Sequence, residues 1–557
     1  MSSAHYSGPA SLPSDYALLS RYAGHQTEDE QDERDQRASS PRPRNPTVAH
    51  QCIPIPVPLL SENTPLLNPP VPRIDETLDD NDRTVHAFWE ELRILTRYAL
   101  PVFGTHVLEF SLIMASVVSI GHLSTTALAA ISLGSMSANV TAFSIIQGFA
   151  SALDTMLPSA WTSSQPQLVG LWTQRMIVVM TFLLIPMLLV WFNAEAILIA
   201  LRQDPEVARL AAVYLRWVSM GLPAYAFNCV SRRYFQSQGR FAVPTQIILI
   251  VAPINAVLNY LLVWGPPSVR LGFIGAPIAT AISFNLVSVM SIAYGVLYVP
   301  KTAWYPLSRR MFTSLGVLVH LGLAGVGQTA SEWWAWELVA LAASLMGPVA
   351  LATQSVLLSS ASTTFQAPFA LSVATSVRIG NLLGEGNAKR AGIASYTSII
   401  MALGLSAASS TMFIIFKNKW AYLFNNDPEV VLLVASIIPL VALFQVFDGN
   451  AAVTAGILRA RGKQVTGALL NLSSYYIIGI PFGIWLAFSC DMKLHGLWIG
   501  LTVSLVYCSF FGTLLCFRTD WNREVWKVMQ RIKEEQDKVE HLHPAHGHGN
   551  GRDEESC

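Results

Sequence analysis

Between about Thr96 and Phe517 the chain falls into twelve apolar segments, each near the 20 residues that an α-helix needs to cross a bilayer. They run approximately over 96–120, 127–150, 174–200, 209–230, 241–264, 272–298, 312–346, 348–372, 393–416, 430–457, 466–489 and 495–517. Lipid offers the backbone no hydrogen bonds, so spans of this length and number predict an all-α polytopic membrane protein. Prolines fall inside several spans (Pro101, Pro186, Pro223, Pro253, Pro439 and Pro481), where neighbouring helices or water must satisfy the freed carbonyls. The chain is 52% hydrophobic and 13% charged, against roughly 25% charged in soluble domains. Its zero net charge argues against nucleic acid as a partner and says nothing about substrate charge, while its apolar spans make the lipid bilayer its surroundings. Cys52, Cys229, Cys490, Cys508, Cys516 and Cys557 have neither paired nor metal-ligand spacing and read as small packing residues. No apolar segment precedes a small-residue cleavage site near the start, so no cleaved signal peptide is expected.

Lysine and arginine set the expected orientation. Thirteen lie in or beside the even-numbered connections and six in the odd-numbered ones, which places the even side and both termini in the cytoplasm. Residues 1–92 are rich in Ser, Pro, Asp, Glu and Arg and are expected to form a disordered tail. Within them Glu62, Leu66 and Leu67 form an acidic dileucine pattern of the kind that sorting adaptors read on vacuolar and lysosomal proteins. Residues 518–557 are expected to be a second cytoplasmic tail. Its first part, Asp520 to Val539, has the spacing of a helix lying on the membrane face, and its His541, His543, His546 and His548 tract reads as solvated.

A repeat divides what lies between. Asp204-Pro205-Glu206-Val207 recurs 223 residues later as Asp427-Pro428-Glu429-Val430, and Gly239 recurs at the same offset as Gly462. The offset also carries Gly104 onto Gly327 and Glu109 onto Glu332. An even number of spans per repeat gives both halves the same orientation, related by an axis along the membrane normal. Two six-helix lobes, 93–300 and 301–517, facing each other across a central cavity are therefore expected, an architecture suited to alternating access.

The seventh span holds Ser331-Glu332-Trp333-Trp334-Ala335-Trp336-Glu337. An ionisable group at the bilayer centre costs roughly 2.5–3.5 kcal/mol on insertion scales, which marks Glu332 as functional. Glu337 is five residues on, about 140° round the helix, so the two acids need not share a site. Trp333, Trp334 and Trp336 offer faces to a cation, although indoles also serve as packing and interface anchors. A structural hydrogen bond is an equal explanation for Glu109 and Glu337.

Taken together, Leu100-Pro101, Leu153-Asp154-Thr155, Arg202-Gln203-Asp204-Pro205, Leu271-Gly272-Phe273-Ile274-Gly275, Glu332-Trp333-Trp334, Gln354-Ser355, Ser376-Val377-Arg378-Ile379-Gly380-Asn381, Gly456-Ile457-Leu458-Arg459, Tyr475 to Pro481 and His495-Gly496-Leu497-Trp498 resemble, in order and spacing, the eukaryotic multidrug and toxin extrusion transporters. The stretch from Pro101 to Glu109, with its acid in the first span, is most similar to the fungal members. The resemblance implies a monomer that exports organic compounds, often cationic, in exchange for protons or sodium, with protons expected first and no bound cofactor. It places cation sites on Glu332 and Asp448, and the repeat pairs Asp448 with Tyr225, so the second lobe alone has both acids. Gln354, Trp333, Trp336, Tyr475 and Asn450 are the expected substrate contacts, with Glu109 and Glu337 as further cation candidates. Animal members carry a Glu in the eighth span where this chain has Ser359, which weakens the expectation of strongly cationic substrates.

The chemistry is consistent without the family. Two carboxylates facing one partly dry cavity hold a proton between them near neutral pH, an organic cation favours their ionised form, and the two cargoes compete. Two other readings stand beside an antiporter. A flippase for lipid-linked substrates would call for a basic cavity, and a membrane acyltransferase would need paired His and Asn at depth, whereas His106 and His320 stand alone in their spans. The dileucine favours the vacuolar membrane, with the plasma membrane as the alternative.

Overall fold

The computed structural model describes residues 80–121, 124–424 and 426–541, which form helices and short connections with no strand among them. Twelve helices of spanning length follow in order: α1 Asp80–Gly121, α2 Thr126–Trp161, α3 Leu168–Phe192, α4 Pro205–Val218 continuing as Leu222–Ser237, α5 Ala242–Trp264, α6 Gly272–Tyr298, α7 Leu315–Ser344, α8 Pro348–Gly384, α9 Ala388–Phe416, α10 Pro428–Ala460, α11 Gln464–Ser489 and α12 Lys493–Phe517. A further helix, α13, covers Trp521–His541. Eight of the twelve are long and apolar enough to cross a membrane on composition alone. The more polar four are α1, α4, α7 and α8, which carry Glu109, Arg232 with Arg233, Glu332 and Gln354.

The repeat has a structural basis in the ends of α4 and α10. Asp204 accepts hydrogen bonds from the Glu206 and Val207 amides, Asp427 accepts one from the Glu429 amide, and each is followed by a proline in the first helical turn. At the far ends Gly239 and Gly462 take φ of +74° and +70°, a conformation that glycine enters without a Cβ clash. The register between the two helices is thus fixed at both ends. Pro223 and Pro481 lie inside α4 and α11, as expected, each just after a change of helix type: a 3-10 turn at Ser219–Gly221 and a π-helical stretch at Ser473–Gly479.

The lobes meet along α2 with α7 and along α1 with α8. Gly148 and Gly325 bring the α2 and α7 backbones into contact: a Cβ on Gly325 would sit 2.2 Å from the Gly148 carbonyl oxygen. The face at which α1 begins and α12 ends, the terminal face, carries polar bridges between lobes. Thr155 Oγ1 donates to the Arg459 carbonyl (2.5 Å), Thr162 Oγ1 to that of Asn381 (2.6 Å) and Gln464 Nε2 to that of Ser151 (2.9 Å).

Two expectations about the tails change. Helix α1 begins at Asp80, not after residue 92, and carries a fully buried Glu91 that accepts from Arg378 (2.6 and 2.8 Å) and Arg390 (2.6 Å). Those partners are 287 and 299 residues away, so no local pattern announces that Glu91 is neutralised. Likewise α13 is a docked helix. Glu535 makes a buried 2.5 Å ion pair with Arg175 of α3, Glu524 lies 3.6 Å from Arg461, and Val528 is buried among Leu95, Leu371 and Ile379. Glu62, Leu66, Leu67, His543, His546 and His548 lie outside the described residues.

Candidate functional site

Glu332 lies midway along α7 and Asp448 midway along α10, and Asp448 is buried. The two carboxylates are within electrostatic range of each other, and Tyr475, from the π-helical turn of α11, is within range of both. A π-helical turn widens the local backbone, a device common at functional positions. Among the described residues neither acid forms a hydrogen bond or an ion pair; the one cation whose charge acts on Glu332 is Arg459.

The surroundings are equally unsatisfied. Gln328, one turn before Glu332, and Gln445, one turn before Asp448, are buried with no partner for either amide atom. Gln354 Oε1 accepts from Trp498 Nε1 (2.9 Å), which leaves Nε2 unpartnered; Asn450 Nδ2 donates to Ser509 (2.7 Å) and Thr513 (2.8 Å), which leaves Oδ1 unpartnered. A buried polar atom without a partner costs about 1–3 kcal/mol, so such atoms on α7, α8 and α10 leave donors and acceptors open to a cation, water or a polar cargo.

The other expected residues divide. Trp336 packs edge-on against Phe444 (5.5 Å) and Trp498 (5.7 Å) and so walls the site. Trp334 donates from Nε1 to the Val140 carbonyl of α2 (3.2 Å), and Trp333 is 37% exposed. Glu337 is half-buried with no charged group acting on it and is not brought to Glu332 and Asp448.

Glu109 has the opposite setting. Both its oxygens accept from Arg232, Oε2 at 3.1 Å, and His106 Nδ1 lies 3.4 Å away. The pair lines a small cavity of mixed polarity, with Thr105, Asn228, Ser231 and Ser291 beside Phe235, Ile248 and Val287. The residue equivalent to Arg232 in the second lobe is Ala455, and the one equivalent to Tyr225 is Asp448. Those two differences turn a closed ion pair into an open pair of acids. Sequence reasoning missed Arg459 as a site neighbour: at the end of the tenth span it reads as a loop cation, and no local pattern announces its burial.

A family model described as MatE matches residues 101–261 and 326–485, one stretch in each lobe. An uncharacterized transporter of Schizosaccharomyces pombe is 38% identical over 439 residues, covering 79% of this chain and 81% of that one. Multidrug and toxin extrusion protein 1 of Danio rerio is 32% identical over 444 residues, covering 79% and 74% respectively. Among solved structures, the eukaryotic MATE transporter AtDTX14 aligns with a TM-score of 0.76 at 30% identity, over 80% of this chain and 100% of that chain. With its multi-pass helical fold, its twofold repeat and these matches across both lobes, the chain belongs to the MatE family of multidrug and toxin extrusion transporters.

Proposed function

We propose that this transporter is an antiporter that exports organic, drug-like compounds in exchange for protons, with Glu332 and Asp448 as the coupling acids. The observation that carries this reading is the pair itself: two carboxylates in mid-membrane that lie within electrostatic range of each other and, among the described residues, form no hydrogen bond or ion pair. Protons and a positively charged or hydrogen-bonding cargo compete for such a pair, and competition is the minimum that exchange requires. The acidic site favours this over a lipid flippase, whose anionic cargo calls for a basic one. Relatives named for multidrug and toxin extrusion and for detoxification support the cargo class.

The excess of Lys and Arg supports a cytoplasmic terminal face. The Glu62, Leu66 and Leu67 pattern supports the vacuolar membrane, where one pH unit is worth about 1.4 kcal/mol per proton; Leu66→Ala with Leu67→Ala should send a tagged protein from the vacuolar rim to the cell surface, and an unchanged distribution refutes the placement. For coupling, purified protein in sealed vesicles is loaded with a fluorescent organic cation and given a pH gradient or a sodium gradient in turn. The pH gradient alone should drive uphill movement; drive by sodium alone would overturn proton coupling.

A further inference from the structure

Asp154 of α2 is nearly buried and stands between two arginines. Its Oδ1 accepts from Arg233 Nε of the same lobe at 3.0 Å, and its Oδ2 lies 3.6 Å from Arg459 Nε of the other lobe. One carboxylate against two guanidiniums leaves a surplus positive charge in a low-dielectric place, and such a charge is held only where another negative charge reaches it. Arg459 is held loosely. Its Nη2 donates to Ser372 Oγ at 2.9 Å, while its Nε is buried without a hydrogen bond. Besides Asp154, the acid whose field reaches Arg459 is Glu332, and Arg233 is the neighbouring cation. Glu332 in turn lies within electrostatic range of Asp448, Tyr475 and Cys508.

The Arg459 end of α10 is tied to both neighbouring helices: its carbonyl accepts from Thr155 of α2, and Thr155 Oγ1 accepts from Gln464 Nε2 of α11 (3.2 Å). Among the described residues, Arg459 is the cation that both lies beside the inter-lobe carboxylate and acts by its charge on Glu332.

We propose that Arg459 is a positioning residue that shares its guanidinium between Asp154 of the first lobe and Glu332 of the second, and so couples the charge on Glu332 to closure of the lobes at the terminal face. An ionised Glu332 draws on Arg459 and weakens its hold on Asp154. Neutralising Glu332 removes the competitor, and the Arg459–Asp154 bridge tightens. This rests on the reading of Glu332 as a coupling acid, and it adds how loading of that acid is felt at the seam between lobes.

The test places spin labels at Ser164→Cys and Glu385→Cys, exposed positions on opposite lobes beside the seam, in full-length protein with its native cysteines replaced, reconstituted in liposomes. Distances are read at about pH 5.5 and about pH 8, either side of neutrality. Wild type should give a shorter, narrower distribution at acid pH. Glu332→Gln should show the acid-like distribution at both, Arg459→Gln should lose the pH response, and Arg459→Lys should restore it. In transport, Arg459→Gln should move the pH of half-maximal exchange upward by on the order of one unit, because a cation no longer opposes proton loading; a merely structural loss would lower the rate equally at every pH. A wild-type pH response in Arg459→Gln overturns the proposal. Where that variant does not insert, a wild-type response in Glu332→Gln overturns it alone. Uphill exchange retained by Glu332→Gln would instead refute the coupling role of Glu332, a separate readout from the distances.

Discussion

Glu109 and Glu332 occupy the same place in two copies of one helix and meet opposite surroundings. In the first lobe Arg232 forks onto the carboxylate, His106 stands beside it, and Ser116, Asn255, Asn259 and Ser283 bond one another across α1, α5 and α6. In the second lobe the arginine is replaced by Ala455, a second acid is added as Asp448, and Gln328, Gln445, Gln354 and Asn450 keep unpartnered atoms. A duplicated bundle thus holds one half closed by satisfied polar contacts and keeps the other half incomplete. The difference teaches that an acid in a membrane span is not functional by itself; what it is paired with decides.

The comparison is broken most severely by moving the arginine. Ala455→Arg gives Glu332 the partner that Glu109 has, and the expected result in a vesicle exchange assay is near-complete loss of transport with insertion retained, since residue 455 is only partly buried. Exchange at wild-type rate would mean that Glu332 does not need to be unpaired.

A smaller effect separates the two acids by stability. Glu109→Gln leaves Arg232 without its counter-charge and should destabilise the protein on the order of 3 kcal/mol, read as a lowered midpoint of thermal unfolding in detergent. Glu332→Gln removes a buried charge with no partner to orphan, so its midpoint should be unchanged or higher. Equal losses in both would contradict the contrast between lobes.

Contacts that tie the lobes together at the terminal face come next. Glu535→Gln removes the ion pair to Arg175, which keeps Thr313 Oγ1 (2.9 Å) and its stacking on Trp172, so the expected cost is about 2 kcal/mol. Limited proteolysis of α13 should accelerate in step; protection equal to wild type would show that the helix is held by its apolar face alone.

The smallest effect is at the rim. Arg390 lies 2.7 Å from Glu90, and its hydrogen bond holds that carboxyl below the ordinary 4.5. A depressed value in the folded state means that the contribution is present above about pH 4.5 and is lost as pH falls through the lower folded value. Glu90 is nearly half exposed, so Glu90→Gln should cost about 0.2–1 kcal/mol at neutral pH and nothing at strongly acid pH. Unfolding midpoints of the two proteins that differ equally at both pH values would assign the effect to something other than this charge.

Much of this was legible in the residues because certain positions have few chemical solutions. Asp204 and Asp427 cap helices ahead of prolines, and Gly239 and Gly462 sit at positive φ, so the repeat survives in the sequence where ordinary apolar positions have drifted. Glu332 stands out because charge in an apolar run is costly, and Asp448 is reached through the family resemblance. What the sequence hid is pairing at long range. Glu91 lies in a stretch that reads as a polar tail until Arg378 and Arg390 arrive from α8 and α9, and Glu535 looks solvated until α3 supplies Arg175. Glu109 stays open in the sequence between a cation site and a structural hydrogen bond for the same reason, although the offset that aligns it with Glu332 also aligns Arg232 with Ala455. Trp336 looked like a cation platform, and only the positions of Phe444 and Trp498 show that its ring is held in the wall.

The central claim, that the open acid pair of the second lobe is where ion and cargo exchange, is tested most directly by uphill accumulation. Sealed proteoliposomes carrying wild type or the Glu332→Gln and Asp448→Asn double variant, matched for inserted protein, are given the same pH gradient and a fluorescent organic cation. Wild type should concentrate the dye against its gradient, and the double variant should let it equilibrate and no more. Accumulation by the double variant to the wild-type level would place the coupling site elsewhere in the molecule.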